Sequence, residues 1–570
     1  MNTLSSKSII EIEREYRLLK QAASSGGDEV RIALLSSFTL MGLEAALGVG
    51  AGMLGLDPEI FTGGYNQYAQ ELLDKDGPLW KFKPDMTLLL LDAVTLLGPR
   101  YSGFAAADAR EKEKWCDETA DRILQLAGSA DATGKTTLLL GSVIFPPYSP
   151  YGLTDPGRSD GVDAFARGLD ERTAASVRDL SGVVFFDLKG AVAEFGWRSA
   201  FDPRLYYMGS ILLRPDFMPF LAQKLLGFVA AKKGLGKKCI IVDLDNTLWG
   251  GIVGEDGVGG IQFGDGPAGG AYRRIQEILL DYNRRGIVLA VCSKNNEADF
   301  RDAFEKREDM VLKLENFAAW RVNWADKARN IEELAAEINI GLDSMVFLDD
   351  SPLERDWVRR HLPEVEVPEP PQDPALWPDF LRALPWFDNL GLTGEDAIRS
   401  RSYALEKKRA EHRNRFEDID GFLADLNMEI EVKPLDDGTL PRASQLTLRT
   451  NQFNLCVRRC TIEEMRDFAG MEENDVLTFR VRDRYGDYGI VGLIMGRASD
   501  DRCYMVENFL LSCRALGRRV EETMFEELTA LARRRKCSVI RTGQVETPKN
   551  KPARDFFEKH PVAGVRLRQL

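Results

Sequence analysis

The chain has 570 residues, of which 44% are hydrophobic and 29% charged, an ordinary composition for a globular protein. This length exceeds what one hydrophobic core supports, so we expect three or four domains. The formal net charge of −14 disfavours nucleic acids and anionic membranes as main partners. The sequence contains no apolar run long enough to span a membrane, and its eight scattered cysteines fit reduced thiols in the cytoplasm better than a secreted disulfide framework.

Strand-like and helix-like patterns alternate through the first part of the chain. Residues 1–27 predict an amphipathic helix, and residues 28–232 predict a first domain with helices near 40–56 and 108–127. Apolar runs predict its strands at Ile32–Leu35, Thr87–Leu91, Thr136–Val143 and Val183–Asp187. Strands that alternate with helices indicate a parallel α/β sheet.

Two serines follow the first predicted strand of this domain. Ser36 and Ser37, with Gly64 in a later turn and Asp92 after the Thr87–Leu91 strand, resemble the layout of the SGNH hydrolases, which have a flavodoxin-type α/β fold. No histidine precedes His361, so the general base that a catalytic serine needs is missing. We therefore expect both serines to be structural or binding residues, in a degenerate hydrolase fold kept for partner binding or scaffolding.

A second domain is predicted over residues 236–385, and its first strand ends on two carboxylates. The apolar run Cys239–Val242 leads directly to Asp243, and Asp245 follows two residues later. Side chains spaced i, i+2 point the same way from a strand, where like charges repel unless a cation or a proton lies between them. The pattern predicts a Mg²⁺ site or an acid/base pair at the carboxyl end of a parallel strand. The alternative is an ordinary strand followed by an aspartate-rich turn.

Three further segments of this domain carry polar residues in the same kind of position. A glycine-rich segment over residues 250–270 predicts either a flexible hairpin or, as we prefer, a flap over the aspartates. A strand at Ile287–Val291 leads to Ser293, a helix opens near Lys327, and a strand at Ser344–Leu348 leads to Asp349 and Asp350. Hydroxyl and N–H groups at a strand end suit a phosphate.

The order of these motifs resembles that of the haloacid dehalogenase (HAD) superfamily, which has a Rossmannoid α/β fold. The motifs are Asp-x-Asp-x-Thr, Ser, Lys and Asp-Asp. The resemblance implies that Asp243 attacks phosphorus and that Asp245 is the general acid/base. It implies that phosphate oxygens are held by Ser293, Lys327, Asn246 and Thr247. It also implies that Mg²⁺ is bound by Asp243, the main-chain carbonyl of Asp245, and Asp349 or Asp350. Phosphoryl transfer needs this positioning and charge neutralisation, and oxygen ligands suit a hard cation.

Seven prolines between Pro363 and Pro385 predict an extended boundary segment, followed by a charged linker helix over about 393–426. The third domain, within residues 393–570, predicts strands at Met428–Val432, Val476–Val481, Gly489–Met495, Tyr504–Leu511 and Ser538–Thr542, with a hairpin turn at Asp487–Gly489. A strand, an Arg-x-x-Gly turn and a helix resemble the GNAT acyltransferases, an α+β fold. The resemblance implies a carrier-protein or pantetheine site at Arg514, Gly517, Arg518, Arg519 and Asn550.

Taken together, seven segments resemble the FkbH-like family of polyketide biosynthesis over nearly the whole chain: Ser36–Thr39, Gly64–Tyr68, Asp243–Gly251, Val291–Asn295, Thr450–Leu455, Arg482–Asp487 and Ser512–Arg518. The resemblance implies that the protein removes the phosphates of 1,3-bisphosphoglycerate. It further implies that the glyceryl group is loaded as a thioester on the phosphopantetheine arm of an acyl carrier protein.

An acyl phosphate is already activated toward a thiol, so we expect a cysteine to attack its carbonyl while the aspartate site removes the phosphate ester. Cys292, beside Ser293, is the first candidate for that thiol, and Cys513, before Arg514 at a helix start, is the second. Either cysteine could instead be a small buried hydrophobic residue. A plain Mg²⁺-dependent phosphatase acting on a small phosphorylated metabolite is the alternative function, and a non-catalytic scaffold is a third.

Overall fold

The computed structural model describes residues 4, 7–21, 28–134, 136–180, 182–388, 412, 421, 425–450, 452–499, 502–543, 545, 547, 550–559 and 566–569. The chain forms two compact units, Asn2–Lys233 and Gly234–Leu570. The second unit contains both of the later predicted domains. Most of the predicted linker helix over 393–426 lies outside the described residues. No helix of the described part is long and apolar enough to cross a membrane.

The first unit is built on a five-stranded parallel sheet. Its strands are β1 (Asp28–Ser36), β2 (Leu56–Thr62), β3 (Met86–Leu90), β4 (Thr137–Gly141) and β5 (Val183–Phe186). Their order is β2-β1-β3-β4-β5, the flavodoxin-like order. The helices are Ile9–Gln21, Leu43–Met53, Tyr68–Leu73, Pro78–Phe82, Ala93–Leu97, Pro99–Ser102, Ala109–Asp131, Val162–Ser176, Leu188–Phe195, Trp197–Ala200, Pro203–Gly209 and Met218–Lys232.

Strand β2 is absent from the sequence prediction, and its composition explains why. Leu56–Thr62 contains Asp57, Pro58 and Glu59, which do not form an apolar run. In the fold β2 lies at the edge of the sheet and pairs only with β1. Proline is tolerated in such an edge strand because only one side of the strand needs its backbone hydrogen bonds.

The second unit begins with a four-stranded parallel sheet. Its strands are β6 (Cys239–Val242), β7 (Val288–Ser293), β8 (Phe317–Val322) and β9 (Met345–Leu348), in the order β8-β7-β6-β9. The helices around it are Val253–Gly260, Gly270–Arg284, Glu297–Lys306, Lys327–Ile338, Pro352–His361 and Trp377–Arg382. Register places Val242 beside Val291 on one side and Leu348 on the other, so the residues after these positions meet at one edge.

The proline-rich segment is not extended throughout, contrary to the prediction. Trp377–Arg382 is a helix with Pro378 in its first turn, a position where proline is tolerated. Trp377, Phe380 and Trp386 are buried in the same hydrophobic cluster as strand β6. This segment therefore closes the core of the four-stranded domain.

The last part of the second unit contains a six-stranded mixed sheet. Its strands are β10 (Glu429–Pro434), β11 (Asn474–Asp483), β12 (Gly486–Ser499), β13 (Cys503–Leu511), β14 (Val539–Thr542) and β15 (Arg566–Gln569), in that order across the sheet. Strands β10 to β13 pair antiparallel, and β13, β14 and β15 pair parallel. The helices are Leu440–Arg449, Ile462–Ala469, Val520–Arg534 and Lys551–Lys559. With two parallel sheets and one mixed sheet, the predicted multidomain α/β fold class is confirmed.

The predicted hairpin turn at Asp487–Gly489 is wrong by a few residues. The turn between β11 and β12 is formed by Arg484 and Tyr485, with Asp483 accepting hydrogen bonds from the N–H groups of Tyr485 and Gly486. Asp487 and Gly489 lie inside β12, where the register shifts and leaves Tyr488 as a β-bulge. Both segments carry an aspartate shortly before a glycine, so the composition alone did not separate turn from bulge.

Candidate active site

Polar side chains from three adjacent strands meet at the carboxyl edge of the four-stranded sheet. Asp243 follows β6, Ser293 ends β7 and Asp349 follows β9. The hydrogen bonding between β6 and β9 continues one residue past the end of β6, where the N–H of Asp243 donates to the Leu348 carbonyl at 2.9 Å. Asp243, Ser293 and Asp349 are all buried. The apolar strands thus hold three polar groups where an open α/β sheet places its ligand.

Lys327 joins two of these carboxylates. Its Nζ donates to Asp243 Oδ1 at 2.8 Å and to Asp349 Oδ2 at 2.5 Å, and its side chain is only 4% exposed. Burial lowers the pKa of Lys327, but attraction to the two carboxylates outweighs it, so the pKa lies above its ordinary value. Burial raises the pKa of Asp243 to about 7, and the neighbouring Asp349 adds to this while Lys327 opposes it.

A third carboxylate gives the site an excess of negative charge. Oxygen atoms of Asp243, Asp349 and Asp350 lie within 4.8 Å of one another. Burial, and then repulsion by Asp349, raise the pKa of Asp350. One lysine cannot neutralise the negative charge of three carboxylates. A divalent cation that binds oxygen ligands would neutralise the remaining charge. The donor set therefore fits a Mg²⁺ ion at these three residues.

Asp245 takes no part in that carboxylate cluster with its side chain. Its Oδ1 accepts from the Trp249 indole N–H at 2.9 Å and from the Val253 N–H at 3.0 Å, and its Oδ2 accepts from Asn295 Nδ2 at 2.7 Å. These three donors fix the carboxylate and tie the glycine-rich segment to it. Gly250 also bridges to Gln262, so this segment starts as a short hairpin that encloses the Val253–Gly260 helix.

Asn246 and Thr247 have different roles in the loop after β6. Asn246 is in the left-handed region at φ 53°, and its Oδ1 accepts from the Gly251 N–H at 3.0 Å, which shapes the loop. Thr247 is 1% exposed, and among the described residues no donor or acceptor reaches its Oγ1. A buried hydroxyl without a partner is costly, so the site has an unused polar group ready for a ligand.

Sequence reasoning missed two residues that support the site, Asn295 and Arg355. Asn295 is buried and positions Asp245. Arg355 donates to the main-chain carbonyls of Asp349 at 2.8 Å and Asp350 at 2.7 Å, and its other guanidinium nitrogen pairs with Glu369 at 2.9 Å. Asn295 was detectable because it lies in the Ser293 motif. Arg355 gave no signal, since an arginine in a charged helix usually faces solvent.

The prediction that Cys292 shares the phosphate site is wrong. Successive residues of a strand point to opposite faces, and Cys292 packs with Ala290 and Phe347 in the hydrophobic cluster on the other face of the sheet. Its Sγ lies 3.8 Å from the main-chain oxygen of Lys327. Burial raises the pKa of the Cys292 thiol, so it is kept from becoming a thiolate.

Cys513 is the one described cysteine that is not buried. Its carbonyl accepts from Asn339 Nδ2 at 2.8 Å, and Asn339 caps the carboxyl end of the Lys327–Ile338 helix. That helix has 12 residues and is therefore about 18 Å long. Lys327 lies at its opposite end, so Cys513 and the carboxylate cluster are two separate places in the second unit.

The residues predicted to bind a carrier protein or pantetheine differ in exposure and in their local contacts. Gly517 and Arg519 are exposed in the turn before the Val520–Arg534 helix, while Arg518 lies over the Tyr488 ring and donates to its hydroxyl. The Arg514 side chain lies outside the described part. Asn550 is contradicted as a binding residue, because it is fully buried and bonds to the carbonyls of Asn454 and Val545 and to the Thr547 N–H.

In the first unit the two serines satisfy local groups. Ser37 Oγ donates to Asp92 Oδ2 at 2.6 Å and accepts from the Asp92 N–H at 2.8 Å. Ser36 Oγ accepts from the Phe38 N–H at 3.0 Å. Both serines are buried, and no histidine precedes His361. These contacts agree with structural roles.

Comparison with known proteins supports the prediction of a phosphatase domain in this chain. No protein-family model and no curated protein matches the chain. The N-terminal part of a Bacteroides fragilis protein, which contains a phosphatase domain and was crystallised with Mg, is similar at 30% identity with a TM-score of 0.59. The similarity covers 68% of this chain and 100% of that one. A Trypanosoma brucei acetyltransferase covers 25% of this chain and 97% of its own at 14% identity, but its TM-score of 0.18 supports no conclusion.

The site geometry and the Bacteroides structure together define an α/β enzyme domain with hydrolase-type chemistry. More particularly, the chain belongs to the proteins that contain a HAD-like phosphatase domain.

Proposed function

We propose that the protein is a Mg²⁺-dependent enzyme that dephosphorylates 1,3-bisphosphoglycerate and loads the glyceryl group on the phosphopantetheine thiol of an acyl carrier protein. The observation that carries the phosphoryl chemistry is the buried Lys327 between Asp243 and Asp349. A divalent ion at Asp243, Asp349 and Asp350 would neutralise phosphate oxygens, and the Bacteroides phosphatase domain was crystallised with Mg. The glyceryl substrate and the carrier partner rest on the FkbH-like resemblance.

The chain's own residues divide the phosphatase step among them. Asp243 attacks phosphorus and forms an aspartyl phosphate, while Asp245 gives a proton to the departing alcohol oxygen. Asp245 then takes a proton from the water that hydrolyses the aspartyl phosphate. We assign the phosphate oxygens to Ser293, to Lys327 and to the Thr247 hydroxyl, which has no partner among the described residues. The hydrogen bonds from Trp249, Val253 and Asn295 hold the Asp245 carboxylate in place for both transfers.

We assign the thioester step to a different place in the second unit. A thiolate attacks the acyl carbonyl, the C–S bond forms, and the acyl-linked phosphate leaves with the C–O electron pair. With Cys292 buried in the core, Cys513 is the remaining candidate for an enzyme thiol, unless the carrier's own thiol attacks directly. Cys513 lies near the opposite end of the Lys327–Ile338 helix from Lys327. We therefore propose that the attack on the acyl carbonyl and the cleavage of the phosphate ester use different sites.

The test is to incubate the full chain with 1,3-bisphosphoglycerate, Mg²⁺ and a pantetheinylated carrier protein, and to weigh both proteins by mass spectrometry. A glyceryl mass gain on the carrier, lost in Cys513→Ala and retained in Cys292→Ala, is expected for an enzyme-thioester route. Phosphate release without any carrier gain would refute the loading function. It would leave the second candidate, a plain Mg²⁺-dependent phosphatase on a small metabolite, which the Bacteroides relative favours.

A further inference from the structure

The turn that precedes the Val520–Arg534 helix is shaped to bind an anion. Gly517 and Arg519 both have positive φ, at 75° and 62°, and Arg519 is the N-cap of this 15-residue helix. Left-handed residues next to a helix N-terminus direct successive N–H groups toward one point. The N–H groups of the turn and the helix dipole together favour a negative charge there.

That place is already taken by a side chain of the same helix. Glu521 Oε1 accepts from the Gly517 N–H at 2.9 Å. The N–H groups of Arg518 and of Glu521 itself also act on this carboxylate. Glu521 is only 8% exposed, which is rare for a glutamate in the first turn of a helix. Burial raises the pKa of Glu521, and the backbone N–H groups oppose this effect.

The second oxygen of the Glu521 carboxylate distinguishes this arrangement from a simple helix cap. Among the described residues no donor reaches Glu521 Oε2, and the same is true of Oε2 of the adjacent Glu522. A capping side chain gains its stability from one oxygen and normally leaves the other in water. Here a nine-tenths-buried carboxylate has an unpartnered oxygen inside an anion-binding turn.

We propose that Glu521 is a built-in anion that fills this turn and excludes the diphosphate of a nucleotide-linked cofactor such as coenzyme A. The carboxylate uses the N–H groups that a diphosphate would need, and its charge repels a second anion. The side chain of the flanking Arg518 lies over the Tyr488 ring and donates to the Tyr488 hydroxyl. If the proposed function holds, the third domain receives its pantetheine arm from a carrier protein rather than from coenzyme A; that consequence rests on the proposed function, whereas the exclusion itself does not.

Titration calorimetry of the full chain in EDTA tests the exclusion, with inorganic diphosphate and coenzyme A as separate probes. The variants are Glu521→Ala, Glu521→Gln and Glu526→Ala. Glu526 is exposed on the same helix, so its replacement makes the same charge change outside the turn. The HAD-like site is identical in all variants, so a difference between them reports on the turn.

We expect Glu521→Ala to bind diphosphate and coenzyme A at least tenfold more tightly than the wild type, and Glu526→Ala to bind as the wild type does. Glu521→Gln keeps the volume and loses the charge, so it should show a smaller gain in the same direction. If circular dichroism shows that Glu521→Ala does not fold, the comparison of Glu521→Gln with the wild type tests the proposal instead. Wild-type binding as tight as that of the folded variants would overturn the proposal, and would do so whether or not the carrier-loading assay succeeds.

Discussion

Replacement of Lys327 by methionine tests most directly whether this lysine neutralises the buried carboxylates of Asp243 and Asp349. Methionine keeps much of the length of lysine but leaves Asp243 and Asp349 without the cation that lies 2.8 and 2.5 Å from their oxygens. Loss of one partner from a buried ion pair costs about 3–5 kcal/mol, because the remaining charge stays buried. We expect a loss of this size in the free energy of unfolding of the metal-free protein, measured by urea denaturation in EDTA.

The pH dependence of this loss follows from Asp243. Its pKa is about 7 in the folded protein against an ordinary 3.8, so the folded state holds a proton that the unfolded chain releases between these values. Stability in EDTA should therefore fall as pH rises from about 4 to 7. The loss in Lys327→Met should be larger at pH 8, where Asp243 has to ionise beside Asp349, than at pH 6.

Lys294→Met is the matched control. Lys294 follows Ser293 and pairs with Glu354 at 2.6 Å, but its side chain is 39% exposed, and exposed pairs contribute about 0–1 kcal/mol. A change within 1 kcal/mol is expected for this variant. If Lys327→Met were as mild as Lys294→Met at pH 8 in EDTA, the buried carboxylate–lysine–carboxylate arrangement would be refuted.

Three further substitutions separate the roles of residues near the site. Thr247→Val removes an unpartnered buried hydroxyl, so the unfolding free energy should stay equal or rise by about 1 kcal/mol while phosphatase activity falls; a loss of stability would show that the hydroxyl is bonded. Asn295→Ala removes the hydrogen bond to Asp245 and should lower kcat about 10–100-fold in steady-state assays, with Asn296→Ala, an exposed neighbour, as control. Cys292→Ala should cost about 1–2 kcal/mol of stability through a small cavity and leave phosphate release unchanged; a collapse of activity in the folded variant would restore Cys292 to the mechanism.

The sequence was sufficient for three of the four strands in this sheet because two simple rules apply to them, whereas the partly exposed edge strand β8 (Phe317–Val322) was not predicted. Apolar runs such as Cys239–Val242 are buried strands of a parallel sheet, and such strands deliver the residue that follows them to one edge. Asp243, Ser293 and Asp349 could therefore be placed together without coordinates. Lys327 was added by the motif order, and its contacts with both carboxylates come from the fold.

Other features depend on information that a residue pattern does not contain. Cys292 is adjacent to Ser293 in sequence but faces the opposite side of the sheet, and the prediction treated proximity along the chain as proximity in space. Asn550 was assigned by its motif, whereas its hydrogen bond to the carbonyl of Asn454 joins two segments that are far apart in sequence. Glu521 gives no signal at all, because an acidic residue in a first helical turn is common.

We propose that Asp243 carries the phosphoryl group as an aspartyl phosphate. The most direct measurement is to quench the enzyme during turnover of a phosphorylated substrate with Mg²⁺ and to locate the phosphate by peptide mass spectrometry under acidic conditions. We expect the phosphate on Asp243, its absence in Asp243→Asn, and its accumulation in Asp245→Asn, where the water that hydrolyses the aspartyl phosphate has lost its base. A phosphate on another residue, or undiminished turnover by Asp243→Asn, would contradict the account.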